Sequence, residues 1–104
     1  MRTLMKVRMV DVEKANRAAA DGSLTQMVQE VMERLHPEAA YFAPEGGIRT
    51  AYMVFDLGDP SEMPAIAEPF FQRLNAMVEF QTVMNRDELQ AGLTRVAERV
   101  ATPA

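Results

Sequence analysis

Six side chains in this 104-residue chain are of types that can do chemistry in their setting: Arg8, His36, Tyr41, Arg49, Tyr52 and Glu68. Glu68 is the most suggestive, because Pro69, Phe70 and Phe71 follow it. A proline within a helix lacks the amide that would bond back four residues, so the helix bends, freeing the carbonyl of Ala65 or opening a gap against a neighbouring sheet. A carboxylate beside an apolar gap is pushed up in pKa and can move protons. The ordinary alternative is a solvated Glu68 on a helix that packs through Ile66 and Phe70. Arg49, Tyr41 and Tyr52 form a second group around one turn, where an arginine could hold a substrate carboxylate in a bidentate pair. The competing reading pairs Arg49 with Glu45 or Glu38 at the surface. His36 is the one histidine and stands beside Pro37 at a helix end. There a cation complements the terminal carbonyls and the helix dipole, which makes capping the simplest role.

Other chemistries lack their residues. With no cysteine there is no disulfide framework, thiolate site or cysteine nucleophile. No second histidine or clustered carboxylate stands at metal-ligand spacing from His36, so no metal is expected. Gly46-Gly47 is a turn rather than a phosphate cradle, and neither a nucleophile elbow nor a dinucleotide fingerprint occurs, so no cofactor is expected. The net charge is −4, and Lys6, Arg8, Lys14 and Arg17 are interleaved with Asp11, Glu13 and Asp21. That is not the basic stripe of a nucleic-acid surface. The opening MRTLMKVRMV is too short and too charged for a signal peptide or membrane span, which makes a soluble cytoplasmic protein the expectation.

The elements that must position these residues follow from periodicity. TLMKVRMV (3–10) alternates, with Met5, Val7 and Met9 on one face and Lys6 and Arg8 on the other. Helix formers run from Val12 to Ala20 and break at Asp21-Gly22. Ser23 reads as the N-cap of a second stretch carrying Met27, Val28, Val31, Met32 and Leu35. AAYFA (39–43), the turn PEGG (44–47) and the run from Ile48 form a hairpin. Asp59 with Glu62 resembles a capping box with Pro60 at the first helical position, opening a helix with Ile66, Phe70, Phe71 and Leu74. MVEFQTVM (77–84) is a fourth strand. Asn85 or Asp87 caps a closing helix with Leu89, Leu93, Val96 and Val100, and residues 101–104 fray. The nine methionines read as adaptable core filling or as pocket wall.

The order β-α-β-β-α-β-α, with right-handed crossovers, predicts an α+β fold. It is the ferredoxin-like split βαβ arrangement plus a C-terminal helix, in one domain spanning 1–104, with a four-stranded antiparallel sheet ordered 4-1-3-2. Met5, Val7, Met9, Met53, Phe55, Val78 and Phe80 then face the helices. The other face carries Lys6, Arg8, Thr50, Tyr52, Val54, Glu79, Gln81 and Val83, with Lys6 or Arg8 near Glu79. This face is too apolar for plain solvent and too polar for a monomer core, which suits a subunit interface or a lined cavity. A homodimer through it is expected.

On PEAAYF (37–42), IRTAYMVFD (48–56), IAEPFF (66–71) and VEFQTVMNRDEL (78–89), nearly the whole chain resembles a group of small uncharacterised bacterial proteins within the dimeric α+β barrel superfamily. That superfamily includes antibiotic-biosynthesis monooxygenases and muconolactone isomerase. The resemblance implies two ferredoxin-like sheets packed into a barrel that binds a small molecule. Its alternative implication is a cofactor-free monooxygenase or isomerase acting on an aromatic or polyketide-like substrate. The chain departs from the characterised enzymes. It has no tryptophan to match the quinol-type sites, and a lone His36 does not make a haem pocket.

Overall fold

The computed structural model describes residues 1–101, so the tail expected to fray lies, beyond Ala101, outside the described residues. The elements are β1 (Arg2–Arg8), α1 (Val12–Asp21), α2 (Ser23–Leu35), β2 (Ala39–Glu45), β3 (Ile48–Asp56), a single 3₁₀ turn (Pro60–Glu62), α3 (Met63–Leu74), β4 (Met77–Thr82) and α4 (Arg86–Ala101). The four strands form one antiparallel sheet ordered β2-β3-β1-β4, which read from the β4 edge is 4-1-3-2. The arrangement is compatible with a ferredoxin-like fold. No helix among the described residues is long and apolar enough to cross a membrane.

Register explains the core. Met5 lies opposite Met53 on one side and Phe80 on the other, and Val7 lies opposite Ala51 and Val78. Partners directly across a ladder share a face, so β1 alternation places one apolar row under the helices. Ala15 and Ala18 of α1, Met27 of α2, and Ile66, Phe70 and Leu74 of α3 close over that row. Phe55, Met5, Met53, Leu74 and Val7 are the largest fully buried side chains, each worth about 1.5–3 kcal/mol of burial. Met5, Met9, Met27 and Met53 are core filling as expected, whereas Met1, Met32, Met77 and Met84 are exposed.

Local chemistry sets the boundaries. Asp11 caps α1 by accepting from the Lys14 amide at 3.0 Å. Gly22 (φ 85°) then turns the chain so tightly that Ser23 is already helical. Ser23 therefore does not cap: its amide donates to Asp21 Oδ1 at 2.8 Å. Gly46 (φ 58°) and Gly47 (φ 80°) form a two-residue hairpin turn between Glu45 and Ile48, the conformation glycine pairs supply there. With so short a turn, β2 pairs through Pro44, which an edge strand tolerates. Asp59 accepts from the Ser61 amide at 2.9 Å, and one 3₁₀ turn intervenes before α3 in place of a capping box.

Pro69 leaves the Ala65 carbonyl without its helical partner, and Arg34 of α2 supplies one. Its Nη1–H donates to that oxygen at 3.2 Å. Phe70 is buried, but Phe71 is 42% exposed, so one phenylalanine rather than two packs into the core. α3 is thus coupled to α2 through the Arg34 side chain. Arg34→Ala is expected to cost about 1 kcal/mol in the native background and measurably less beside Pro69→Ala, where the restored amide bonds Ala65. Urea unfolding of the four-member cycle measures the coupling.

Asp11, Asp21 and Asp59 have their pKa values lowered by hydrogen bonds: from the Asn75 amide and the Lys14 backbone, from Ser23, and from Ser61, respectively. Each folded value lies below the unfolded one, so the stabilisation is present above the unfolded value and disappears as pH falls through the folded value. Thermal melts should therefore be level from neutrality down to about pH 5 and fall below about pH 4, with a shallower fall in Asp11→Ala.

Candidate functional site

The uncovered face of the sheet is ordered in rows. Tyr41, Tyr52, Lys6 and Glu79 face one another across β2, β3, β1 and β4. The neighbouring rows are Ala43, Thr50, Arg8 and Met77 on one side, and Ala39, Val54, Leu4 and Gln81 on the other. The Lys6 ammonium lies 5.9 Å from the Tyr52 ring centroid, within cation–π range.

Lys6 does not pair with Glu79, its neighbour in register. Its Nζ donates to Glu45 Oε1 at 2.7 Å, and Arg8 Nε lies 3.3 Å from Glu45 Oε2. Glu45 ends β2 on the same face as Tyr41 and reaches over β3 to both cations, while Glu79 stays exposed on the edge strand. Arg8 Nε and Glu45 Oε2 are buried and make no hydrogen bond, although they attract each other as charges. The Glu45 hydrogen bond raises the Lys6 pKa and keeps the amine cationic. Thr50, directly opposite Arg8 in the same row, is only 2% exposed, and its hydroxyl donates to the Ile48 carbonyl at 2.9 Å. The result is two cations sharing one carboxylate beside two tyrosines.

Arg49 does not belong to that group. It stands three residues before Tyr52, an odd spacing that puts it on the opposite face of β3. Nor does it pair with Glu45 or Glu38. Glu45 is held by Lys6 and Arg8, and Glu38 by Arg2. Arg49 Nη1–H instead donates to Asn16 Oδ1 of α1 at 2.6 Å. The two border a groove of about 620 Å³ between the hairpin and the α1–α2 pair, whose apolar walls are Met9, Val12, Leu24, Val28 and Phe42. Sequence reasoning reached Arg49 but placed it with the tyrosines and missed Asn16; of the nine methionines only Met9 lines this groove. The signal available was an asparagine one helical turn after Val12.

The remaining candidates lie elsewhere. His36 caps α2 in a left-handed conformation (φ 44°), and its backbone amide, rather than its imidazole, donates to the Met32 carbonyl at 3.0 Å. Glu68 is exposed and accepts from Gln72 Nε2 at 2.6 Å. A crevice of about 140 Å³ does lie between α2 and α3, lined by Met27, Val31, Ile66 and Pro69 among others, but Glu68 is not in its wall. Pro69 faces α2 across it, and Glu68 is exposed to water. Among the described residues, no group of three or more histidines and carboxylates is placed to hold a metal ion.

Because Glu45 alone neutralises two adjacent cations, its loss should be felt more than the loss of either partner. Glu45→Ala is expected to lower the urea midpoint further than Lys6→Ala, and the double variant should recover part of the difference.

Comparison of the chain with protein-family models, with curated proteins and with solved structures finds no match.

Proposed function

We propose that this chain is a small-molecule-binding protein that takes a compact, largely apolar carboxylate into the groove beside Arg49, and that it works as a homodimer built through the uncovered sheet face. The observation that carries the binding reading is the groove itself. Its volume of about 620 Å³ falls in the range of small-molecule sites, about 300–1,000 Å³, which combine apolar walls with a few convergent polar groups. Arg49 is the polar group. One of its terminal nitrogens is held by Asn16, which fixes the guanidinium plane and leaves further donors of the fork for a carboxylate. No carboxylate among the described residues forms an ion pair with it. Apolar walls from α1, α2 and the hairpin would accept one or two rings.

The dimer reading rests on the sheet face. Tyr52, Val54 and Leu4 are half-buried there and accompany the part-buried Lys6–Glu45–Arg8 charge cluster. Two such faces stacked at about 10 Å would give the barrel that the sequence resemblance implies. His36 and Glu68 are exposed and neither lines the groove, so the reading favoured is binding rather than turnover.

Calorimetric titration with 2-naphthoate and with neutral 2-naphthamide tests the groove. Naphthoate should bind, and the amide should bind at least about tenfold more weakly, the ratio expected when a charge-assisted pair is lost. Arg49→Met should lose the preference for the acid with little change in the urea midpoint. Absence of naphthoate binding, or an unchanged preference in Arg49→Met, removes this assignment.

A further inference from the structure

Phe42 is the one member of its row that the core does not take in. Phe42, Ala51, Val7 and Val78 lie side by side across β2, β3, β1 and β4, on the face that the helices cover. Val7 and Ala51 are 0% and 2% exposed, and Val78 is partly buried against the core. Phe42 is 52% exposed. A phenylalanine on the covered side of a strand ordinarily hides its ring, which is the largest apolar area it carries. Here Phe42 borders open space on two sides.

On one side is the groove beside Arg49. On the other is a second recess of about 340 Å³, lined by Leu24, Thr25, Val28, Gln29 and Phe42. The two share Leu24, Val28 and Phe42 as walls. Leu24 and Val28 stand one turn apart on α2, so they form an apolar ledge that runs from the groove into the recess. Phe42 is the only shared wall that comes from the sheet. It therefore stands opposite that ledge, where the groove ends and the recess begins. Thr25 and Gln29, also one turn apart, line the far recess with polar groups.

We infer that Phe42 is the specificity residue of the groove: it ends the site about two rings from Arg49 and keeps longer rigid acids out of the second recess. The distance follows from register. Phe42 pairs with Ala51, and Pro44 with Arg49, all on the covered face. Phe42 and Arg49 are thus diagonal neighbours, with backbones about 7–8 Å apart. A carboxylate held by the Arg49 fork sets the rings of its owner against the Phe42 side chain. An aromatic acid there gains an aromatic neighbour and covers its exposed area. A longer rod must displace that side chain to continue along the Leu24–Val28 ledge. Because Phe42 is not part of the buried core, it can change without emptying the interior. This inference rests on the binding reading of the groove.

Calorimetric titration of the native chain and of Phe42→Ala compares 2-naphthoate with the longer rod biphenyl-4-carboxylate. The native chain should prefer naphthoate at least about tenfold, within what a shaped apolar wall can discriminate. In Phe42→Ala naphthoate should weaken and the biphenyl acid tighten, moving their ratio at least about tenfold toward the longer acid. The preference for naphthoate over 2-naphthamide should persist, because Arg49 is untouched. Phe42→Val keeps strand propensity while removing the ring, and supplies the same comparison should the alanine variant fail to fold. Equal affinity of the native chain for both acids, or a ratio unchanged in the variants, overturns the Phe42 assignment and leaves the Arg49 reading standing. Absence of naphthoate binding by the native chain overturns both.

Discussion

The pairing of β1 between β3 and β4 is the constraint on which the rest of this structure depends. Once Met5 is set opposite both Met53 and Phe80, the alternation of each strand decides which residues the helices cover and which stay on the open face. A slip of one residue would bury Lys6 and Arg8 and expose Met5 and Val7, so the register is strongly determined. The same parity separates the two candidate sites. Tyr41, Tyr52, Lys6 and Glu45 share one side, and Arg49 is alone among the charged candidates on the other. Neither site is a property of a motif; both are consequences of odd and even positions in three strands.

Much of this was legible before any coordinates. The alternation of TLMKVRMV and of the run from Ile48 identified both faces, because a period of two leaves few choices once one row is methionine, valine and phenylalanine. The break at Gly22, the hairpin at Gly46-Gly47 and the freed Ala65 carbonyl four residues before Pro69 were legible because glycine and proline act through the backbone itself. What was not legible were the partners of long side chains. Glu45 read as a turn residue, and only pairing through Pro44 places it on the tyrosine side. Arg49 seemed to belong with tyrosines near in sequence, since proximity along a hairpin does not state which face a residue occupies. Arg34 gave no signal at all, because its role depends on how α2 and α3 lie against each other, which no local pattern encodes.

Charge placement leaves the open face mixed rather than strongly apolar. A pair of cations sharing Glu45 is costly to desolvate, and Arg8 Nε and Glu45 Oε2 already lie out of solvent without a hydrogen bond. Such a cluster adds little to the stability of one chain. Its effect is directional, because any surface that brings like charge onto it is penalised.

The distribution of burial bears on folding. The core is drawn from β1, β3 and the inner faces of α1, α2 and α3, and the last 16-residue helix contributes no buried side chain. A chain of this length has little surplus stability, typically about 0.05–0.15 kcal/mol per residue. Propensity alone does little to hold a weak helix in water, and the start of α4 is anchored by the Asn85–Glu88 capping box and the Glu88–Arg2 pair. The Arg49 groove, by contrast, is built from α1, α2 and the hairpin of one chain, and no residue of α4 enters its wall.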